Sequence, residues 1–237
     1  MYPSIVNHPI TYLLFDLDCT LYSAGWGLER NVSSRINDFL TGYLAMPKEE
    51  AWAIRKEGVL KGGYGTTLEW LRAERGMNDA ETERYFAAIH PENEADALPA
   101  DPQLRSFLFS LSLPLGILTN SPLEHAQRIL GKLGVEDLFP TIFDIRRNGL
   151  EGKPSEKVYR RVLAELGVEA ASCLLVDDAS AYIEGYRAIG GTGVYFDEDN
   201  HRPDFPGFRI QKLEELLTLT RPDNSPLLEK KLIRGKY

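Results

Sequence analysis

Two short acidic stretches have the residue types and spacing for chemistry. Asp16-Leu17-Asp18-Cys19-Thr20 carries two carboxylates two residues apart at the end of the apolar run Tyr12–Asp16, and Asp177-Asp178 closes a second apolar run, Cys173–Asp177. Such acids can cap helices or sit solvated in loops. If all four converge at one edge they repel one another strongly. A hard divalent cation with oxygen ligands, Mg²⁺ in particular, makes that arrangement tolerable. A third apolar run, Leu115–Thr119, leads through Asn120 into Ser121-Pro122-Leu123-Glu124, which has the spacing of a capping box with proline in the first turn. The Thr119 hydroxyl, the Asn120 amide and a helix N-terminus together would make an anion site. Lys153, on a loop before Pro154, is an ordinary solvated lysine unless it stands near those carboxylates and an anion, where its charge is needed.

These residues need elements to position them. Beyond residue 100 the chain alternates apolar strands and amphipathic helices. Asp101-Pro102 reads as N-cap and first helical residue, with Leu104, Leu108 and Leu111 on one face. A helix from Ser121 carries Leu123, Ala126, Leu130 and Leu133 and stops at Gly134. Thr141–Asp144 reads as a strand, and Ser155 opens a helix with Val158, Val162, Leu163 and Leu166 on one face. Ala181–Ile189 reads as a helix and Thr192–Phe196 as another strand. Near-continuous apolar strands between amphipathic helices predict an α/β fold, a parallel sheet covered on both faces. Such sheets bind ligands at the carboxyl ends of their strands.

Residues 23–99 interrupt the alternation. Leu28, Val32, Ile36, Leu40 and Tyr43 fit one helical face, and Thr66-Thr67-Leu68-Glu69 and Asn78-Asp79-Ala80-Glu81 read as further helix starts. The stretch predicts an all-helical cap inserted into a Rossmann-like core formed by residues 11–22 and 100–220. Gly62, Gly63 and Gly65 suggest a tight loop within it, and 221–237, with Lys230, Lys231, Arg234 and Lys236, reads as a solvated C-terminal extension.

The 237 residues hold 27 Lys+Arg against 35 Asp+Glu, a net charge of -8, which disfavours a nucleic-acid polymer or an anionic membrane as partner. An anionic small molecule remains compatible, because one local lysine or metal inverts the field in a cleft. No apolar run approaches a membrane span, and no signal peptide is evident. Cys19 and Cys173 form no CxxC, which points away from zinc and toward a reducing, cytoplasmic setting.

In order along the chain, Asp16-x-Asp18-x-Thr20, Thr119, Lys153 and Asp177-Asp178 resemble the motifs of the haloacid dehalogenase-like (HAD) superfamily. The resemblance implies that Asp16 is a nucleophile and Asp18 a general acid/base. It implies Mg²⁺ held by Asp16, the backbone carbonyl of Asp18 and Asp178, with Asp177 behind Asp178, and a phosphoryl group bound by Thr119, Asn120 and Lys153. It also implies hydrolysis of a small phosphorylated metabolite through an aspartyl phosphate. Asp18-Cys19-Thr20-Leu21-Tyr22 and Tyr64-Gly65-Thr66-Thr67-Leu68 further resemble the pyrimidine 5'-nucleotidase branch, with Cys19 where that branch carries Asn and Ser23 where it carries Pro. On that reading Tyr64, Gly65, Thr66 and Thr67 face the substrate, and Tyr64 and Trp70 offer stacking surfaces for a base. Phosphoglycolate or a sugar phosphate is the alternative substrate. A phosphomutase shares the same acids, a dehalogenase has no use for Asp18, and a non-catalytic binding protein has no need of the full set.

Overall fold

The computed structural model describes residues 9–219. Six parallel strands, β1 (Tyr12–Phe15), β2 (Leu115–Leu118), β3 (Thr141–Phe143), β4 (Cys173–Asp177), β5 (Thr192–Phe196) and β6 (Phe208–Ile210), form one sheet in the order β3-β2-β1-β4-β5-β6. Five of these are the strands expected from the sequence. The short edge strand β6 is not, since the charged Arg209 interrupts its apolar run.

Side-chain alternation along β1 divides the core. Leu13 and Phe15 pack on one face with Ile117, Ala126, Ile129 and Leu130, while Leu14 packs on the other with Val158, Tyr159, Val162 and Ile183. The first face is covered by α5 (Pro102–Ser110) and α6 (Leu123–Leu133), the second by α7 (Glu156–Leu166) and α8 (Ser180–Ala188), and α9 (Leu216–Leu219) ends the described chain. Asp101 caps α5 by accepting from the Gln103 and Leu104 amides at 3.0 and 2.8 Å.

Between β1 and α5 lie α1 (Leu28–Tyr43), α2 (Lys48–Gly62), α3 (Thr67–Arg75) and α4 (Asp79–Ile89). They close around a separate apolar cluster containing Leu40, Ala51, Trp70, Leu71, Tyr85 and Phe86. The expected starts are in place: Thr66 accepts from the Glu69 amide, and Asn78 and Glu81 form a reciprocal capping box. Helix α2 was not anticipated, because Ala51 is its one buried side chain and its apolar residues make no stripe. The expected extension at 221–237 lies outside the described residues.

Two local readings need correction. Ser121 does not cap α6. Its hydroxyl turns to Asp18, and the buried Asp144 carboxylate accepts from the Leu123 amide at 3.1 Å instead. Leu123 is exposed, and Ile129 takes its place in the buried stripe.

Candidate active site

Register places the strand-end residues together. Phe15 pairs with Ile117 on β2 and Val176 on β4, so Asp16, Leu118-Thr119 and Asp177 leave the sheet side by side. The Asp16 amide continues the ladder by donating to the Val176 carbonyl at 2.8 Å. Beyond Asp16 the chain turns sharply at Cys19, whose φ of 58° is left-handed, a conformation that asparagine tolerates more readily than cysteine. This turn returns Thr20 to donate to Asp16 Oδ2 at 3.2 Å.

Lys153 is fully buried, and its Nζ donates to Asp16 Oδ1 and Asp177 Oδ2, each at 2.6 Å. Asn120 fixes the loop that carries it: Oδ1 accepts from the Lys153 amide at 2.7 Å and Nδ2 donates to the Lys153 carbonyl at 3.1 Å. Both ends of the Asn120 amide are thereby engaged with the backbone. Tyr182 lies beneath the ammonium, with its ring centroid 5.1 Å from Nζ. Thr119 is buried, and its Oγ1 accepts from the Ser121 amide at 3.0 Å.

The carboxylates Asp16, Asp177 and Asp178 bring ligand oxygens within 4.8 Å of one another. One lysine does not balance three acids. Burial drives the Asp16 carboxyl well above its usual range, Lys153 opposes this, and the neighbouring acids Asp177, Asp178 and Asp18 reinforce it. Burial and then Asp177 push Asp178 up to about 7. Burial also raises Asp177, against the pull of Lys153. An all-oxygen cluster with excess negative charge fits Mg²⁺. The two adjacent acids differ in availability. Asp177 spends Oδ2 on Lys153 and Oδ1 on the Ala179 amide, 2.8 Å away, whereas Asp178 lines the cavity and has no side-chain donor among the described residues.

Asp18 is held apart from this cluster. Tyr22 donates to its Oδ1 at 2.5 Å, Ser121 donates to its Oδ2 at 2.9 Å, and His125 Nε2 lies 2.7 Å from Oδ1. Burial alone would raise this carboxyl, but His125 outweighs it and holds Asp18 below the ordinary carboxylate range. Sequence reasoning missed Tyr22, Ser121 and His125 as site residues. The one signal available in the sequence is a histidine in the first turn of the helix that follows Thr119.

A cavity of about 380 Å³ opens between the sheet edge and the helices, lined by Asp16, Asp18, Thr119, Lys153 and Asp178 on one side. Gly65, Thr66 and Thr67 line the other side, together with Arg55, Glu29 and an apolar group that includes Val32, Ile36 and Phe86. The 62–67 loop reaches this place because Gly65 has no side chain: a Cβ there would stand 2.6 Å from the Lys153 carbonyl oxygen. Glu69 ties the two loops, accepting from the Gly65 amide at 2.9 Å and from the Gly152 amide. Tyr64 and Trp70, expected as stacking surfaces, do not line this cavity. Trp70 is fully buried in the helical cluster, and Tyr64 lies off the cavity with its hydroxyl on Glu74. A second cavity of about 350 Å³ near Thr20, Leu98 and Phe107 contains none of the strand-end acids.

A profile of haloacid dehalogenase-like hydrolases matches residues 10–190, the span from β1 through the Asp177-Asp178 strand to α8. The chain belongs to the haloacid dehalogenase-like hydrolase family. Among curated relatives, it is 31% identical over 120 residues to a phosphatase of Mycobacterium tuberculosis, covering 50% of this chain and 51% of that protein. It is 26% identical over 185 residues to the phosphoglycolate phosphatase of Yersinia pestis, covering 74% and 76%. The chain thus spans about half of the first relative's length and about three quarters of the second's. A HAD-hydrolase of Bacillus subtilis bound to magnesium shares the fold, with a TM-score of 0.58, 19% identity and coverage of 90% of this chain and 99% of that one. Among the described residues, no helix is long and apolar enough to cross a membrane.

Proposed function

We propose that the protein is a Mg²⁺-dependent phosphatase that hydrolyses a small phosphomonoester through an aspartyl phosphate. The observation that carries this reading is the joint placement of Asp16 against Lys153 and of Asp18 across the same cavity mouth. The Asp16 carboxylate attacks phosphorus in line as the ester oxygen departs with a proton from Asp18. Asp18 then takes a proton from the water that attacks the phosphoenzyme, releasing phosphate and restoring Asp16. Lys153 and Thr119 bind the phosphoryl oxygens, and Asn120 keeps Lys153 in place. Asp16, the Asp18 carbonyl and Asp178 would hold Mg²⁺, with Asp177 fixed behind by Lys153 and Ala179. When bound, the ion offsets the charge of the phosphoryl oxygens.

The substrate reading shifts with the cavity. A pyrimidine nucleoside monophosphate loses its expected stacking residues, Tyr64 and Trp70. Arg55 favours the alternative, a phosphoglycolate-like ester bearing a carboxylate. Its guanidinium lines the cavity and is held by neutral groups: Thr67 Oγ1 at 2.9 Å, Asn37 Oδ1 at 3.0 Å and Ser33. No carboxylate pairs with it within 4.0 Å among the described residues, and Glu29, on the same cavity, acts on it only at longer range, so a substrate anion can still take a close hydrogen bond from it. The test is turnover of p-nitrophenyl phosphate, nucleoside monophosphates, phosphoglycolate and sugar phosphates, with and without Mg²⁺, by wild type and Asp16→Asn. Metal-dependent turnover that Asp16→Asn abolishes is expected. Retention of more than a few per cent of the rate by Asp16→Asn overturns the covalent mechanism.

A further inference from the structure

Behind Asp18 runs a chain of buried polar groups that the mechanism above does not use. His125 Nδ1 lies 2.8 Å from Glu94 Oε1, and Glu94 Oε2 lies 2.9 Å from His90 Nδ1. Arg128 Nη2 donates to Glu94 Oε1 at 2.7 Å and to the His90 carbonyl at 2.9 Å. The side chains of His90, Glu94 and His125 are 4%, 2% and 1% exposed. His90 and Glu94 belong to the segment joining α4 to α5, the return link from the helical insertion to the sheet. His125 lies on α6.

Three groups of this kind can hold a metal, but here the charges argue otherwise. Glu94 is already paired with Arg128, and Arg35 stands 3.9 Å from its other oxygen. The second His125 nitrogen faces Asp18 rather than the centre of the trio. Both ring nitrogens of His125 therefore confront carboxylate oxygens, and each is placed to donate a proton. Burial of the ring without these partners is unfavourable, so the two carboxylates hold it in this orientation.

That orientation differentiates the two Asp18 oxygens. Among the described residues, Oδ1 accepts from Tyr22 and His125, whereas Oδ2 accepts from Ser121 alone. A carboxylate oxygen with two donors has little capacity left for a proton. We propose that His125 is a positioning residue, locked by Glu94, that saturates Asp18 Oδ1 and so presents Oδ2 to the substrate as the atom exchanging the proton. The proposal rests on the reading of Asp18 as acid and base. In the first half-reaction the bond from Asp16 to phosphorus forms, the ester P–O bond breaks, and the Oδ2 proton goes to the departing oxygen. In the second, water oxygen bonds to phosphorus, its proton goes to Oδ2, and the aspartyl P–O bond breaks. The link at 90–94 thereby helps to set the reach of the acid, because Glu94 fixes the ring that fixes Asp18.

The experiment compares His125→Leu, which removes both donors, with His125→Gln, whose amide can still donate toward Asp18, and uses Asp18→Asn as reference. For phosphoglycolate, kcat of His125→Leu should fall on the order of 100-fold with KM changed less than about twofold, as for a misplaced acid. Release of p-nitrophenolate in the first turnover should fall less than about fivefold, since that leaving group needs little protonation. His125→Gln should recover at least about tenfold of the lost kcat. Crystal structures supply a readout independent of turnover: the Asp18 carboxyl should leave its place against Tyr22 and Ser121 in His125→Leu and keep it in His125→Gln. If His125→Leu does not fold, Glu94→Gln, which frees the ring from one charge, should give a smaller loss with the same leaving-group dependence. Equal losses on both substrates, an effect on KM alone, or an unmoved Asp18 carboxyl in His125→Leu or Glu94→Gln overturns the proposal. If Asp18→Asn itself shows no leaving-group dependence, the acid/base reading has failed, and the Asp18 position in the variants still decides the positioning role.

Discussion

Replacing Lys153 by methionine isolates the charge that holds the acid cluster together. Methionine keeps most of the length and apolar bulk of the lysine stem, so packing changes little. What is lost is a fully buried ammonium with two contacts of 2.6 Å, to Asp16 and Asp177. Removing one partner of a buried ion pair typically costs about 3–5 kcal/mol, because the remaining charge is left uncompensated. At roughly 2–4 °C per kcal/mol for a chain of this size, Tm should drop by about 6–20 °C. The measurement is thermal unfolding followed by circular dichroism at pH 7 in EDTA, so that no divalent cation substitutes for the lysine. Adding Asp177→Asn to Lys153→Met should recover part of the loss, since it removes one of the two stranded acids. In the single variant, stability should rise as pH is lowered below 7. Asp16 and Asp177 then have folded pKa values still further above their unfolded values, and protonation favours the native state. A loss of less than about 1 kcal/mol, or no recovery in the double variant, would refute the assignment of Lys153 as the counter-charge of the cluster.

Three further predictions follow from the same geometry. Asp178→Ala should raise the Mg²⁺ concentration for half-maximal activity on the order of tenfold more than Asp177→Ala does, and a metal-bound structure ligated through Asp177 alone would reverse that ranking. Arg55→Gln should raise KM for phosphoglycolate by roughly 10–100-fold, the worth of one charged hydrogen bond, and by much less for p-nitrophenyl phosphate; equal changes would remove the carboxylate reading. The third concerns His125, whose folded pKa is raised to about 10 because Asp18 and Glu94 outweigh its burial. Its contribution to stability is fully present below the unfolded value of about 6.5 and is lost progressively as pH rises toward 10. The difference in Tm between wild type and His125→Leu should therefore narrow between pH 7 and pH 10, and a constant gap would contradict it.

The parts of this molecule that could be read from its residues are those fixed by local pattern. The apolar runs ending in Asp16, Thr119 and Asp177 are legible as buried parallel strands because nothing in them alternates with polar residues. Asp101, Thr66 and Asn78 are legible as caps because the groups that they satisfy lie within three residues in sequence. The same local logic misled at Ser121-Pro122-Leu123-Glu124. There the spacing of a capping box is present, but Asp144, 21 residues away from Leu123, supplies the cap and frees Ser121 for Asp18. It also failed at α2 and β6, whose positions depend on neighbours rather than on a strong pattern of their own.

The family resemblance pointed to the chemistry of Asp16 and Asp18, while their surroundings were set in three dimensions. Pairing of β1 between β2 and β4 brings Asp16, Thr119 and Asp177 together, and the buried reach of Lys153 from a loop more than 130 residues away decides which of the adjacent acids stays free. Packing of the return link against α6 brings Glu94 to His125 and His125 to Asp18, residues separated by 31 and 107 positions. Packing likewise buries Trp70 among helices and leaves Arg55 facing the cavity. Sequence alone determined five of the six strands, the helices that carry a clear stripe or cap, and where acids follow them, because those depend on side-chain periodicity and on hydrogen bonds closed within a turn. Tertiary structure alone decided which oxygen of each acid is occupied and which is open, because burial and long-range hydrogen bonds, not neighbours in the chain, satisfy those atoms.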